Sequence, residues 1–346
     1  MPATPIRVLW LRDNRPGHLN KVKGFLALLA RTVPLEITTC DLRWRFSPLR
    51  HLVGRLSGFF LNWWPALFLK NFHPGNDFDL IISSGGLTQW PNVLMARRTG
   101  APNVYIGSPH HFPSHLFTLI PMTDPPHGNP PFLKLELVLS EVSPDAARES
   151  ARQHFPHLAE LGWTLLMGGD GEGMKWSDAD FLRLADRFID GAEKAGKPMF
   201  VVTSRRTPER VEKALIGKFE GRPGFVTGAW FHQSGEKTLP VLALLGASSK
   251  IIVTADSVSM TNEAVASGVP SIAIYPPEGK PKPRHEAQFS LLENDGKLAR
   301  FKLATAGNLE GLEPAGGWRL ITGDSHAAIA VMALERLGFN SKPADA

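Results

Sequence analysis

The chain has 346 residues, 43% of them hydrophobic, enough to bury two cores of ordinary domain size. Its formal net charge of +5 points to an anionic partner: nucleic acid, an anionic membrane surface or a phosphorylated substrate. A single cysteine, Cys40, excludes an internal disulfide, and no stretch reaches the roughly 18 apolar residues of a membrane-spanning helix.

The N-terminal Met-Pro-Ala-Thr-Pro runs directly into a strand, so no signal peptide is expected. Ile6 to Leu11 reads as a buried strand, followed by the loop Arg12–His18 and a helix from about Asn20 to Arg31. A strand feeding a glycine-containing loop and then a helix is a usual ligand position in an open α/β sheet. In that loop His18 is placed to take a proton from a bound hydroxyl, with Asp13 orienting it and Gly17 beside it. His18 serves equally well as a plain lining of the loop. Leu35 to Cys40 is a second strand, and Cys40 reads as a small buried residue rather than a nucleophile.

From Trp44 to Phe68 the apolar residues recur every three or four positions, which is helical spacing, with Gly54, Gly58 and Pro65 as kinks. Arginines cluster at its front. Trp44, Phe60, Trp63 and Trp64 suit contact with a membrane interface or a lipid-linked acceptor, and the same pattern suits a core-packed helix with solvated arginines. Asp79 to Ser83 is a strand ending in Ser84-Gly85-Gly86, where Gly85 and Gly86 let backbone approach a ligand closely. A helix from about Thr88 to Arg98 and a strand from Asn103 to Ile106 follow. The next loop carries His110, His111 and His115, with no Cys or acidic partner at ligand spacing. His110 is therefore expected on the acceptor side or as plain loop structure, with no metal. Leu135 to Leu139 reads as a short strand, and the helix Pro144–Phe155 is expected to close a first domain at residue 157.

A second domain, 158–323, opens with the strand Thr164–Met167 and Gly168-Gly-Asp-Gly-Glu-Gly173. Such a turn offers backbone N–H groups to phosphate, starting with Gly168 and Gly169, with Lys175 facing the anion and Asp170 and Glu172 pointing away; an ordinary glycine turn is the alternative. The strand Pro198–Thr203 ends in Ser204, Arg205 and Arg206, which suit bidentate phosphate recognition or a solvated helix start. Ile251 to Pro270 then reads as strand, polar turn, helix and stop. Asp256, Ser257, Ser259 and Met260 form the turn and the head of the helix, whose unpaired N–H groups attract phosphate. Glu263 lies about one turn in, where its carboxylate can accept from two hydroxyls, such as a ribose diol; simple capping is the alternative. A further helix carries Arg284 and His285, and a C-terminal helix and tail fill 324–346, the tail expected to be disordered.

Glu263, Gly268 and Pro270 behind a Ser/Thr-rich turn resemble the donor-nucleotide segment of glycosyltransferases built from two Rossmann domains, the GT-B type. Asp13-Asn-Arg-Pro-Gly-His18, Ser204-Arg-Arg-Thr-Pro208 and Thr254-Ala-Asp-Ser-Val-Ser-Met260 with Glu263 resemble, more narrowly, the bacterial and plant family named after the plant "elongated mitochondria" fission factor. That resemblance runs from about Ile6 to Gly338 and is weakest over Trp44–Phe68. It implies an α/β fold of two Rossmann-like doubly wound domains facing a cleft. It also implies a glycosyltransferase that moves a sugar from a nucleotide-sugar to a hydroxyl acceptor, with no separate cofactor. By analogy Gly17 and His18 face the acceptor. Nucleic acid is not an expected partner, because no recognition motif is visible. The expected location is the cytoplasm, peripherally on the inner face of the cytoplasmic membrane. A non-enzymatic membrane adaptor and a sugar-nucleotide epimerase or hydrolase share the same features.

Overall fold

The computed structural model describes residues 4–13, 15–44, 69–70, 72, 75–109, 112–126, 130–230, 239–307 and 309–339. His110, Phe60, Trp63, Trp64 and the tail from residue 340 lie outside them, as does most of the segment read as a kinked helix. The chain divides into two compact units, Met1–Glu141 with Asp324–Ala346, and Val142–Gly323.

In the first unit, β1 (Ile6–Arg12) leads into α1 (Pro16–Ala30), β2 (Leu35–Asp41) and β3 (Arg43–Trp44). Next come β4 (Leu69–Lys70), β5 (Leu80–Ser83), α2 (Gln89–Thr99), β6 (Asn103–Tyr105), β7 (Ile120–Met122) and β8 (Phe132–Lys134). Four strands form a parallel sheet in the order β2-β1-β5-β6. The continuous apolar run of β1 is explained by burial on both faces. Val8 and Trp10 join Val22, Phe25 and Leu29 of α1 and Ala330 and Leu334 of the C-terminal helix. Leu9 and Leu11 point the other way, toward Trp90 and Val93 of α2.

Three expectations change here. Trp44 is in a strand, because β3 pairs antiparallel with β4, Trp44 opposite Leu69. The short strand expected at Leu135–Leu139 falls instead at Phe132–Lys134, which pairs with β7. Helix α1 starts at Pro16, not Asn20, because proline suits the first helical position, where its missing N–H costs nothing.

The second unit starts with α3 (Pro144–His154), the helix expected to end the first domain. It packs inside this unit: a Cβ at Gly246 would collide with the backbone of Ala147. Then follow β9 (Gly162–Leu166), β10 (Met174–Lys175), α4 (Asp178–Lys194), β11 (Met199–Val202), α5 (Glu209–Phe219) and β12 (Phe225–Trp230). The unit continues with α6 (Val241–Gly246), β13 (Ser248–Thr254), α7 (Val258–Ala266), β14 (Ser271–Tyr275), β15 (Glu278–Gly279), α8 (Pro283–Asn294) and β16 (Ala299–Lys302). A six-stranded sheet runs β12-β11-β9-β13-β14-β16, every neighbouring pair parallel. Renumbered from β9 within the sheet, this is 3-2-1-4-5-6, the strand order of dinucleotide-binding Rossmann sheets. Phe181, Leu184 and Phe188 of α4, with Leu215 and Phe219 of α5, pack on Leu165, Val201 and Ile252. A capping box between Ser177 and Asp180 sets the start of α4.

Candidate functional site

A parallel sheet binds ligands where its winding reverses, beyond the carboxyl ends of the two strands that flank the reversal. In the first unit this point lies between β1 and β5. Asp13 follows β1 and is 3% exposed. One carboxylate oxygen accepts from the Arg15 N–H at 3.3 Å, and the other lies 2.6 Å from Nδ1 of His18. His18 sits in the first turn of α1 with a quarter of its side chain exposed. Asp13 thus engages Nδ1, and Nε2 is the ring nitrogen outside that contact. From β5 comes Gly85, buried, at φ +101°, where a Cβ would collide with both Asp13 and His18. The loops of two strands therefore meet at one pair of side chains. The Gly85 carbonyl accepts from the N–H and hydroxyl of Thr88, at 3.0 and 2.9 Å. Behind them Tyr105 is 3% exposed. Burial pushes its hydroxyl up to about 12, against the opposite pull of hydrogen bonds from Gln89 and the Gly85 backbone.

Gly86 and Gly17 are exposed, and nothing lies within 4 Å of a Cβ added at either, so neither glycine is demanded by space. At Gly85 both the positive φ and the collision require glycine. Gly85→Ala is expected to separate the Asp13–His18 pair and to destabilise the fold by about 1–3 kcal/mol, read by thermal unfolding. An unchanged melting temperature would contradict the contact.

In the second unit the reversal lies between β9 and β13. Gly168 and Gly169 follow β9, but their N–H groups do not face an open site. That of Gly168 donates to the Thr254 hydroxyl at 2.7 Å and that of Gly169 to the Asp256 carboxylate at 3.0 Å. The glycines are there because side chains would collide with Asp256 and with the backbone of Arg206. The expected phosphate cradle is thus consumed internally at these two positions. Arg206, expected on the phosphate, is likewise engaged. It bonds the same oxygen of Asp256 at 2.8 Å, the Asp170 carbonyl at 3.1 Å and the Asp256 carbonyl at 3.4 Å. Ser204 accepts from the Arg206 N–H at 3.1 Å, while Arg205 is exposed. Burial pushes the Asp256 carboxyl above its ordinary range, opposed by Thr254, the Gly169 N–H and Arg206.

What remains open at this point is the head of α7. The Ser257 hydroxyl caps it, accepting from the Met260 N–H at 3.5 Å. Ser259 is exposed and donates to Glu263 at 3.1 Å, and Glu263 is half-buried, its carboxyl pushed up by that burial. Lys175 is exposed on β10 opposite Glu278 of β15. As expected, the Asp170 side chain is turned to its own loop, accepting from the Trp176 N–H at 2.8 Å. Thr88, Gln89 and Tyr105 carry no motif signal, and they join the site only through burial in the folded unit. Among the described residues no group of three or more His, Cys, Asp and Glu is placed to hold a metal, and no helix is long and apolar enough to cross a membrane.

Two Rossmann-like units, each with polar residues gathered at its reversal point, define an α/β protein of the GT-B type. Residues 16–336 match the family described as mitochondrial fission ELM1, and the chain belongs to that family. Its fold is similar to that of the UDP-GlcNAc 2-epimerase from Methanocaldococcus jannaschii, 12% identical, with 95% of this chain and 100% of that chain covered at a TM-score of 0.51. It also matches the ADP-heptose LPS heptosyltransferase II of E. coli, 13% identical over 96% of this chain and 99% of that chain, at a TM-score of 0.41. A 132-residue stretch is 26% identical to uncharacterized protein RP120 of Rickettsia prowazekii (strain Madrid E), covering 38% of this chain and 36% of that protein.

Proposed function

We propose that this chain is a glycosyltransferase that moves a sugar from a nucleotide-sugar donor to a hydroxyl acceptor. The observation that carries this reading is the head of α7, where an exposed Ser259 and a half-buried Glu263 hydrogen-bond at the reversal point of a 3-2-1-4-5-6 sheet. The N–H groups and dipole of that helix start hold the diphosphate, with Ser257, Lys175 and Arg205 nearest in role, and they stabilise the charge that develops as it departs. Glu263 accepts from the ribose hydroxyls. Asp256 and Arg206 keep the three loops in register. In the other unit, His18 takes the proton of the acceptor hydroxyl through Nε2 while Asp13 holds Nδ1. The arginine- and aromatic-rich stretch 44–68 supports a lipid-linked acceptor at an anionic membrane surface.

A thermal-shift screen against UDP, GDP, CMP, ADP and dTDP tests the donor site. One nucleotide is expected to stabilise the wild type, and Glu263→Ala to weaken its Kd about 10- to 100-fold by removing hydrogen bonds to a charged group. Binding that is indifferent to Glu263 would remove the ribose role. No stabilisation by any nucleotide in a folded protein would favour the membrane adaptor. Turnover of the donor with no acceptor present would favour an epimerase or hydrolase.

A further inference from the structure

The third residue of α8 is at odds with its surroundings. His285 is 2% exposed, and among the described residues neither Nδ1 nor Nε2 has a hydrogen-bond partner. Buried polar atoms are nearly always paired, and leaving one unpaired costs about 1–3 kcal/mol. The ring stands edge-on to Phe289, centroids 4.1 Å apart at 84°, and Phe289 in turn meets Tyr275 at 6.5 Å. Burial pulls the imidazole below its ordinary range, so at neutral pH it is uncharged, with one nitrogen a donor and the other an acceptor.

The position of the ring is informative. β13 lies between β9 and β14 in the sheet, and the loops that follow those two neighbours are joined through the β10–β15 pair. The Lys280 N–H donates to the Gly173 carbonyl at 3.1 Å and the Lys282 N–H to the Glu172 carbonyl at 2.9 Å. Glu172 adopts the left-handed region at φ 52°, rare outside glycine, and its carboxylate meets Lys282 Nζ at 3.5 Å and acts electrostatically on His285. Across α8, Gln288 donates to Asn262 of α7 at 3.1 Å, tying this helix to the one that heads the proposed diphosphate site.

A neutral imidazole set among two carboxylates, Glu172 and Glu286, and two cations, Lys282 and Arg300, offers no excess positive charge to draw a phosphate. It suits a hydroxyl, which both donates and accepts. We propose that His285, with Glu172, binds hydroxyls of the donor's sugar ring, so that the second unit takes an uncharged hexose beside its nucleotide. The proposal rests on the donor-site reading above.

Calorimetric titration of UDP and UDP-N-acetylglucosamine, or the equivalent pair for whichever base the thermal screen selects, separates the two readings. Wild type is expected to bind the sugar nucleotide more tightly than the bare one. His285→Phe, which keeps the bulk and removes both nitrogens, is expected to erase that margin, about tenfold, and leave UDP binding intact. His285→Gln should retain part of it. Should neither variant fold, the ¹⁵N signals of the wild-type imidazole are expected to shift on adding the sugar nucleotide and not on adding UDP. A margin preserved in both variants, equal loss of UDP and sugar nucleotide, or no wild-type margin would overturn the sugar role alone. No binding of either ligand to wild type would take down the donor site and this subsite together.

Discussion

Replacing His18 by alanine is expected to lower kcat for sugar transfer by about 10²- to 10⁴-fold, the usual contribution of a positioned general base. The expectation comes from the division of labour in its ring. Asp13 lies 2.6 Å from Nδ1 and is itself 3% exposed, so it can hold a proton there and stabilise the imidazolium that forms as Nε2 accepts one. Asp13→Asn is expected to fall nearly as far, because an amide can donate to Nδ1 and favours the wrong tautomer. His18 is three-quarters buried against Asp13 and Gly85, so its loss also unpairs a buried carboxylate, and the melting temperature of the variant is measured beside its rate. Nucleotide affinity should stay at the wild-type value, since the residues proposed to hold the donor belong to the other unit. Single-turnover rates and nucleotide Kd, measured on the same preparations, check both halves. Transfer at the wild-type rate in His18→Ala would remove the base from this position, and a parallel loss of nucleotide binding would mean a structural role.

How much of this was legible beforehand depends on what each feature needs to be seen. The strands were legible because β1 and β13 are buried on both faces and so read as unbroken apolar runs, Val8-Leu-Trp-Leu11 and Ile251-Ile-Val253. The order of the strands was not, because one buried run looks like another and only the crossovers sort them into 2-1-3-4 and 3-2-1-4-5-6. Asp13 and His18 could be paired from five residues of sequence. Gly85 belongs with them, yet nothing local says that a glycine some seventy residues on is required by their side chains. The glycine-rich turn shows the converse error. Gly168 and Gly169 suggest a phosphate cradle by composition, but their N–H groups are taken by Thr254 and Asp256, more than eighty residues away. Asp256 reads in sequence as part of a donor-binding turn, with capping as the alternative; its burial, and its engagement by Arg206 and the Gly169 N–H, appear only in three dimensions.

That buried pair carries the largest stability effect expected in the molecule. Asp256 has a fully buried side chain, and its charge is answered by Arg206 at 2.8 Å and by the Gly169 N–H at 3.0 Å, while its second oxygen has no hydrogen-bond partner among the described residues. Arg206→Ala removes the only cation paired with it among the described residues and also cuts the bonds to the Asp170 and Asp256 carbonyls that join three loops. Removing one member of a buried pair costs about 3–5 kcal/mol, here on the order of 10 °C in melting temperature for a unit of this size. Arg205→Ala, at an exposed neighbour, should change stability by no more than about 0.5 kcal/mol. The pH dependence identifies the cause. Burial already holds the folded-state pKa of Asp256 above its unfolded value, so ionisation works against folding, and the associated stability is present below the unfolded pKa and lost as pH rises through the folded one. Without Arg206 the folded pKa climbs further and that loss deepens. The deficit of Arg206→Ala relative to wild type is therefore larger at neutral pH than in acid, and it shrinks as falling pH protonates the carboxyl in the variant. Urea unfolding of both proteins across that range measures it. A deficit that does not change with pH would assign the loss to the severed carbonyl contacts instead of the buried charge.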